Sequence, residues 1–79
     1  MQNKVNLGNL NSGDRAKINE LDSETLPAKF YELGFVPGAL IEVKYKAPFN
    51  GPICINIIAN NTLIALRKSE ATRITAEKI

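Results

Sequence analysis

The chain has no histidine and one cysteine, Cys54, so few of its residues could do chemistry. The missing imidazole removes the commonest general base and the commonest transition-metal ligand together. Cys54 could be a nucleophile, but nothing is available to activate it, and its place in the isoleucine-rich run "ICINIIA" reads as an inert small apolar side chain. One cysteine supplies neither a zinc nor an iron–sulfur ligand set. Nor can it close an internal disulfide, which fits a reducing compartment and makes the cytoplasm the expected location. The nearest carboxylates, Glu20, Asp22 and Glu24, stand at the mouth of a predicted helix, where the dipole favours negative charge; their spacing is not that of a Ca²⁺ or Mg²⁺ loop. Gly8, Gly13, Gly34, Gly38 and Gly51 are separate turn glycines that form no phosphate loop or dinucleotide fingerprint. Lys44 with Lys46 and Arg67 with Lys68 could touch phosphates, but alternate spacing makes the first pair an ordinary solvated strand face. Two aromatic residues remain. Phe49, at the tip of "APFNGP", either folds back over the domain or is offered to a partner. Tyr31 lies off the apolar stripe of its helix and could be a surface contact. These two are the candidate partner-binding residues; no catalytic, cofactor-binding or metal-binding residue is expected.

The elements that must position them follow from periodicity. Leu7 and Leu10, three apart in a polar segment, suit one short helical turn or a bent edge that lays both leucines on a core. In "RAKINEL", Arg15 to Leu21, Ala16 and Ile18 alternate with polar neighbours and predict the first strand. Leu26, Phe30 and Leu33 then fall at i, i+4 and i+7, a helical stripe with Lys29 and Glu32 on its wet side. Thr25 or Leu26 is the expected cap, because Pro27 drives the residue before it away from helical angles. Gly34 is placed to end the helix in the left-handed conformation, with Phe35 folding back on the last turn. "VPGA" at Val36 to Ala39 has the Pro-Gly order of a type II turn, which needs positive φ at Gly38.

Beyond that turn, "LIEVKYK" predicts a strand with Ile41, Val43 and Tyr45 inward and Glu42, Lys44 and Lys46 in solvent; the Tyr45 hydroxyl would reach water at the rim. "APFNGP" breaks it. Ile53, Ile55 and Ile57 line one side of the next strand, and Cys54, Asn56 and Ile58 the other. Asn60-Asn61 suits a hairpin turn into "TLIALRK". "KSEA" reads as one helical turn capped by Ser69, and "RITAEKI" as a final strand with Ile74 inward.

The chain's 79 residues allow one domain, spanning 1–79. With 44% hydrophobic and 23% charged residues it can bury enough apolar surface to fold. The net charge of +2 is spread without blocks, so no electrostatic footprint for nucleic acid or anionic lipid is visible. The N-terminal segment lacks a signal-peptide core, and no window approaches the roughly 20 apolar residues that cross a bilayer, so a soluble chain is expected. Five short strands with one helix between the first and second, and a helical turn before the last, cannot bury their inner faces in a flat sheet. The expectation is a mainly β fold, a small SH3-like barrel.

The order of segments carries a resemblance: "L..L..GDRAKI", a helix ending "FYELGFVPGALIEV", then "PFNGPICINI", then "NTLIALRKSEATRI". It resembles the FeoA family, small cytosolic components of bacterial ferrous-iron transport whose domain also ends some metal-dependent repressors. The likeness runs from Leu7 to about Ala76, and "ELGFVPGALIEV" and "IALRKSEATRI" are its most specific parts. It implies an SH3-like barrel acting without catalysis or cofactor, through contact with the cytosolic GTPase region of the FeoB membrane permease. Gly34, Pro37, Gly38, Leu66 and Ala71 belong to the family motif, but they have the structural roles above and no site is inherited. Where family members often have basic residues early in the helix, this chain has Leu26, Pro27, Ala28 and Lys29. The alternative is a nucleic-acid-binding or regulatory small barrel, which predicts binding that weakens steeply with salt. Metal sensing or catalysis is the reading with least support in the residues. A homo-oligomer formed through strand edges is open to a small barrel with an incompletely covered edge.

Overall fold

The computed structural model describes residues 4–21 and 28–79. Among these residues six strands form one antiparallel sheet: β1 (Lys4–Asn6), β2 (Arg15–Leu21), β3 (Leu40–Lys46), β4 (Ile53–Ile57), β5 (Thr62–Leu66) and β6 (Ile74–Lys78), in the order β1-β6-β2-β3-β4-β5. A 3₁₀ turn (Leu7–Asn9) follows β1, the short helix α1 (Lys29–Glu32) lies between β2 and β3, and α2 (Lys68–Ala71) precedes β6. The architecture is the mainly β, SH3-like one that the alternating faces require.

Ile18, Ile41, Val43, Ile53, Ile55, Ile57, Ile64, Leu66 and Ile74 are buried along the strands, and Ala16, Ala71 and Ala76 fill the narrower gaps. Leu7 and Leu10 join this core from the 3₁₀ turn, which is held by the Asn6 side chain accepting from the Gly8 N–H at 2.8 Å and by the Leu10 N–H on the Leu7 carbonyl at 3.2 Å. Phe30 and Phe35 close one end, their rings edge to face with centroids 6.0 Å apart.

The corner between α1 and β3 is built as its glycines require. Gly34 has φ +98, the Phe35 N–H reaches the Phe30 carbonyl at 2.9 Å, and the Gly34 N–H reaches that of Tyr31 at 3.0 Å, the paired bonds of a Schellman cap. At the next turn Gly38 has φ +93 and the Ala39 N–H bonds the Val36 carbonyl at 3.0 Å. Ile18 stitches this turn to β2: its carbonyl accepts from the Gly38 N–H at 2.7 Å and its N–H donates to the Ala39 carbonyl at 2.9 Å.

Five details differ from the sequence-based expectation. The sheet has six strands, because Lys4–Asn6 pairs with β6, Lys4 opposite Glu77; three residues with one apolar side chain carry no period of their own, and the helix therefore follows the second strand. Leu33 is 40% exposed, because the cap folds Phe35 back onto the core before α1 completes the turn that would bring Leu33 inward. Tyr45 is 58% exposed. Val43 lies opposite Ile55 and Tyr45 opposite Cys54, so a bulge inserts one residue between them and reverses the alternation. The same bulge half-buries Lys46 instead of leaving it in solvent. The cap of α2 is Arg67 rather than Ser69, since the Glu70 carboxylate accepts from the Arg67 N–H at 2.9 Å and fixes the start two residues earlier. Leu26 and the expected cap at Thr25 or Leu26 lie outside the described residues.

Candidate interaction surface

Among the described residues the fold holds no pocket and no group of three metal-ligating side chains. The β3–β4 loop is closed by the Ala47 N–H on the Pro52 carbonyl at 2.9 Å and tightened by the Gly51 N–H on that of Pro48 at 3.2 Å. A side chain at Gly51 would meet Ala47 Cβ at 2.7 Å, so only glycine allows the loop to close this tightly. Phe49 and Asn50 at its tip take φ of +59 and +58. A bulky non-glycine residue held there is strained. Phe49 does not fold back; it is 98% exposed.

Tyr31 is half-buried on α1. The C-terminal end of that helix is tied to the β4–β5 turn, where the Asn60 side-chain amide donates to the Leu33 carbonyl at 2.9 Å. The structure thus sets the two candidate residues at opposite ends of the β4–β5 hairpin, Tyr31 beside the turn after Ile57 and Phe49 in the loop before Ile53.

The outward face of β3–β4–β5 lies between them. Tyr45 stands opposite Cys54 and Cys54 opposite Ala65, while Leu63, 62% exposed, is the neighbour of Asn56. Asn56 is buried and its Oδ1 accepts no hydrogen bond among the described residues. Alternation in "TLIAL" was the signal that could have marked Leu63 and Ala65 as outward apolar residues; Tyr45 had no such signal, because a bulge leaves no trace in hydropathy.

Five of the basic side chains, Arg15, Lys44, Lys46, Lys68 and Lys78, have a carboxylate or carbonyl partner. Glu42 accepts from Arg15 Nε at 3.1 Å and from Lys44 Nζ at 3.3 Å, and these bonds, that of Lys44 foremost, hold its carboxyl below the usual carboxylate range. Lys78 Nζ lies 3.7 Å from Asp14. Lys46 and Lys68 both donate to the Gly8 carbonyl, at 3.2 and 2.8 Å, fastening the 3₁₀ turn to β3 and α2.

The fold and the surface described above are those of a small, mainly β, SH3-like domain. Residues 5–78 match the model of the FeoA domain, and the chain belongs to that family. A crystal structure of an iron uptake regulatory protein (FeoA) superposes with a TM-score of 0.80 at 28% identity, covering 96% of this chain and 97% of that one. The FeoA protein of Chlorobium tepidum gives 0.83 at 33% identity, over 95% of this chain and 70% of that one. A manganese-dependent transcriptional repressor gives 0.82 over the whole of this chain and 44% of its own; at 17% identity it shares the fold alone. No curated protein sequence matches.

Proposed function

We propose that this protein is a non-enzymatic, cytoplasmic accessory of ferrous-iron uptake, and that it acts by binding the cytosolic GTPase region of an FeoB-type membrane permease. Membership of the FeoA family and the iron-uptake role named for its structural relative support the pathway. Phe49 is the observation that carries the mode of action. An almost fully exposed aromatic ring on a left-handed backbone costs the free protein twice, in hydrated apolar surface and in strain, and insertion into a partner's pocket removes the first cost. Buried aromatic anchors are the side chains that dominate interface energies. Tyr31, at the other end of the hairpin, would contribute only to a partner broad enough to span β4.

The nucleic-acid reading lacks comparable support. Arg15 and Lys44 are occupied by Glu42, and Lys46 and Lys68 by the Gly8 carbonyl, so these side chains form no free basic stripe.

Titration of the permease's purified cytosolic region by calorimetry tests the proposal. Phe49→Ala is expected to weaken binding about tenfold or more, the loss of roughly 1.4 kcal/mol or above that marks an interface anchor, and Tyr31→Ala to weaken it less. Wild-type affinity in both variants would eliminate the surface, and no binding by the wild type would eliminate the partnership.

A further inference from the structure

Among the described residues β5 is an edge with none of the features that protect edges. It ends the strand order, and no backbone N–H or carbonyl of Thr62–Leu66 bonds outside the β4–β5 ladder among the described residues. Antiparallel pairing uses alternate residues of a strand, so one bonded side leaves a second row of donors and acceptors. Natural edges are blunted by lysine, proline, a bulge or extreme shortness. The opposite edge follows this practice, since β1 has three residues and an exposed Lys4. β5 reads "TLIAL": uncharged, without proline or bulge, and with Leu63 and Ala65 both exposed on its outer face.

We infer that β5 is a self-association edge, pairing antiparallel with β5 of a second copy about a two-fold axis at Ile64. In this register Leu63 of each chain faces the copy's Ala65, so a large side chain fills the space beside a small one. The row Tyr45–Cys54–Ala65 then continues into the copy's exposed Leu63. The fit of the strand to its own reverse, large Leu63 beside small Ala65 with no charge between them, points to a second copy as the occupant. About this axis Ile64 meets its own image, Leu63 meets Ala65 and Thr62 meets Leu66, and no residue of Thr62–Leu66 carries a charge to repel the copy. Arg67 and Lys68 lie beyond the strand, Lys68 opening α2, so the paired segment itself carries no cation. An isologous contact of this kind closes at two copies.

The full chain is examined by sedimentation equilibrium from low micromolar to near-millimolar concentration. The expected mass rises from 8.7 kDa to twice that value. Leu63→Lys with Ala65→Lys is expected to stay at monomer mass throughout, and so is Leu63→Glu with Ala65→Glu. An equimolar mixture of the two variants should recover the doubled mass, because each lysine then faces a glutamate. Both positions are exposed, and unchanged circular dichroism confirms that the variants fold. Wild type at monomer mass over the whole range, a doubled mass in either single-sign variant, no recovery in the mixture, or a larger ring would each overturn the pairing.

Discussion

Gly34 and Gly38 show what a single residue decides here. Both have positive φ, yet a side chain at Gly38 would meet nothing within 4 Å, whereas one at Gly34 would lie 3.0 Å from Asn60 Nδ2, the group that caps the Leu33 carbonyl. Gly38→Ala therefore costs backbone strain alone, about 1–2 kcal/mol, while Gly34→Ala adds the displaced hydrogen bond, about 1 kcal/mol more. For a domain of this size each kcal/mol lowers Tm by about 4–8 °C, and thermal melts should rank Gly34→Ala below Gly38→Ala and both below the wild type. Equal melting points would contradict the contact with Asn60. Glu42 carries a dependence on pH. Its carboxyl is held below its ordinary value of 4.5 by Lys44 and Arg15, so its contribution to stability is present above about that pH and is lost as pH falls through the lower folded-state value. Glu42→Gln should accordingly show a smaller drop in Tm between pH 7 and pH 3 than the wild type.

The corner from α1 into β3 shows what an element can and cannot declare in advance. Gly34, Pro37 and Gly38 state its geometry locally, because left-handed φ and a fixed proline φ belong to the residue itself. The same local signals left Leu33 on the wrong side, since only the completed cap shows that Phe35 takes the buried position. Phe35 links α1 to the barrel core, fully buried with its ring against Phe30. Phe35→Ala should cost about 3–5 kcal/mol, measurable as a lower urea midpoint; a loss under about 1 kcal/mol would mean that the ring is not part of the core. Strand β3 shows the converse. Ile41 and Val43 followed their alternation inward, and the bulge after Val43 then turned Tyr45 out, an outcome fixed by pairing with β4 rather than by the strand's own letters.

At the scale of the whole molecule, stability is a small remainder, about 5–10 kcal/mol for a domain of this length. Leu7 lies outside every strand yet is fully buried in the shared core, so Leu7→Ala should remove about 2–5 kcal/mol, a large part of that total, and native-state hydrogen exchange should show the loss across β6 and β2 as well as locally. Exchange confined to the 3₁₀ turn would show that this leucine is a local clip instead. Of the surface, the sequence marked Phe49 as an aromatic residue in a turn-rich loop, but whether it folded back or stood out depended on the loop's closure between Ala47 and Pro52. Its separation from Tyr31 depended on where the sheet set the two ends of β4. The sequence by itself determined the mainly β class, the bounds of β2 and β3 and both glycine corners, because alternation and left-handed turns are properties of neighbours in the chain; the FeoA family was legible only as a resemblance in the order of its motifs. Only the tertiary structure decided the sixth strand, the outward Tyr45, the lysines shared by the Gly8 carbonyl and the open edge of β5. Each of these depends on which distant strand lies alongside and in what register, and no short stretch of chain contains that.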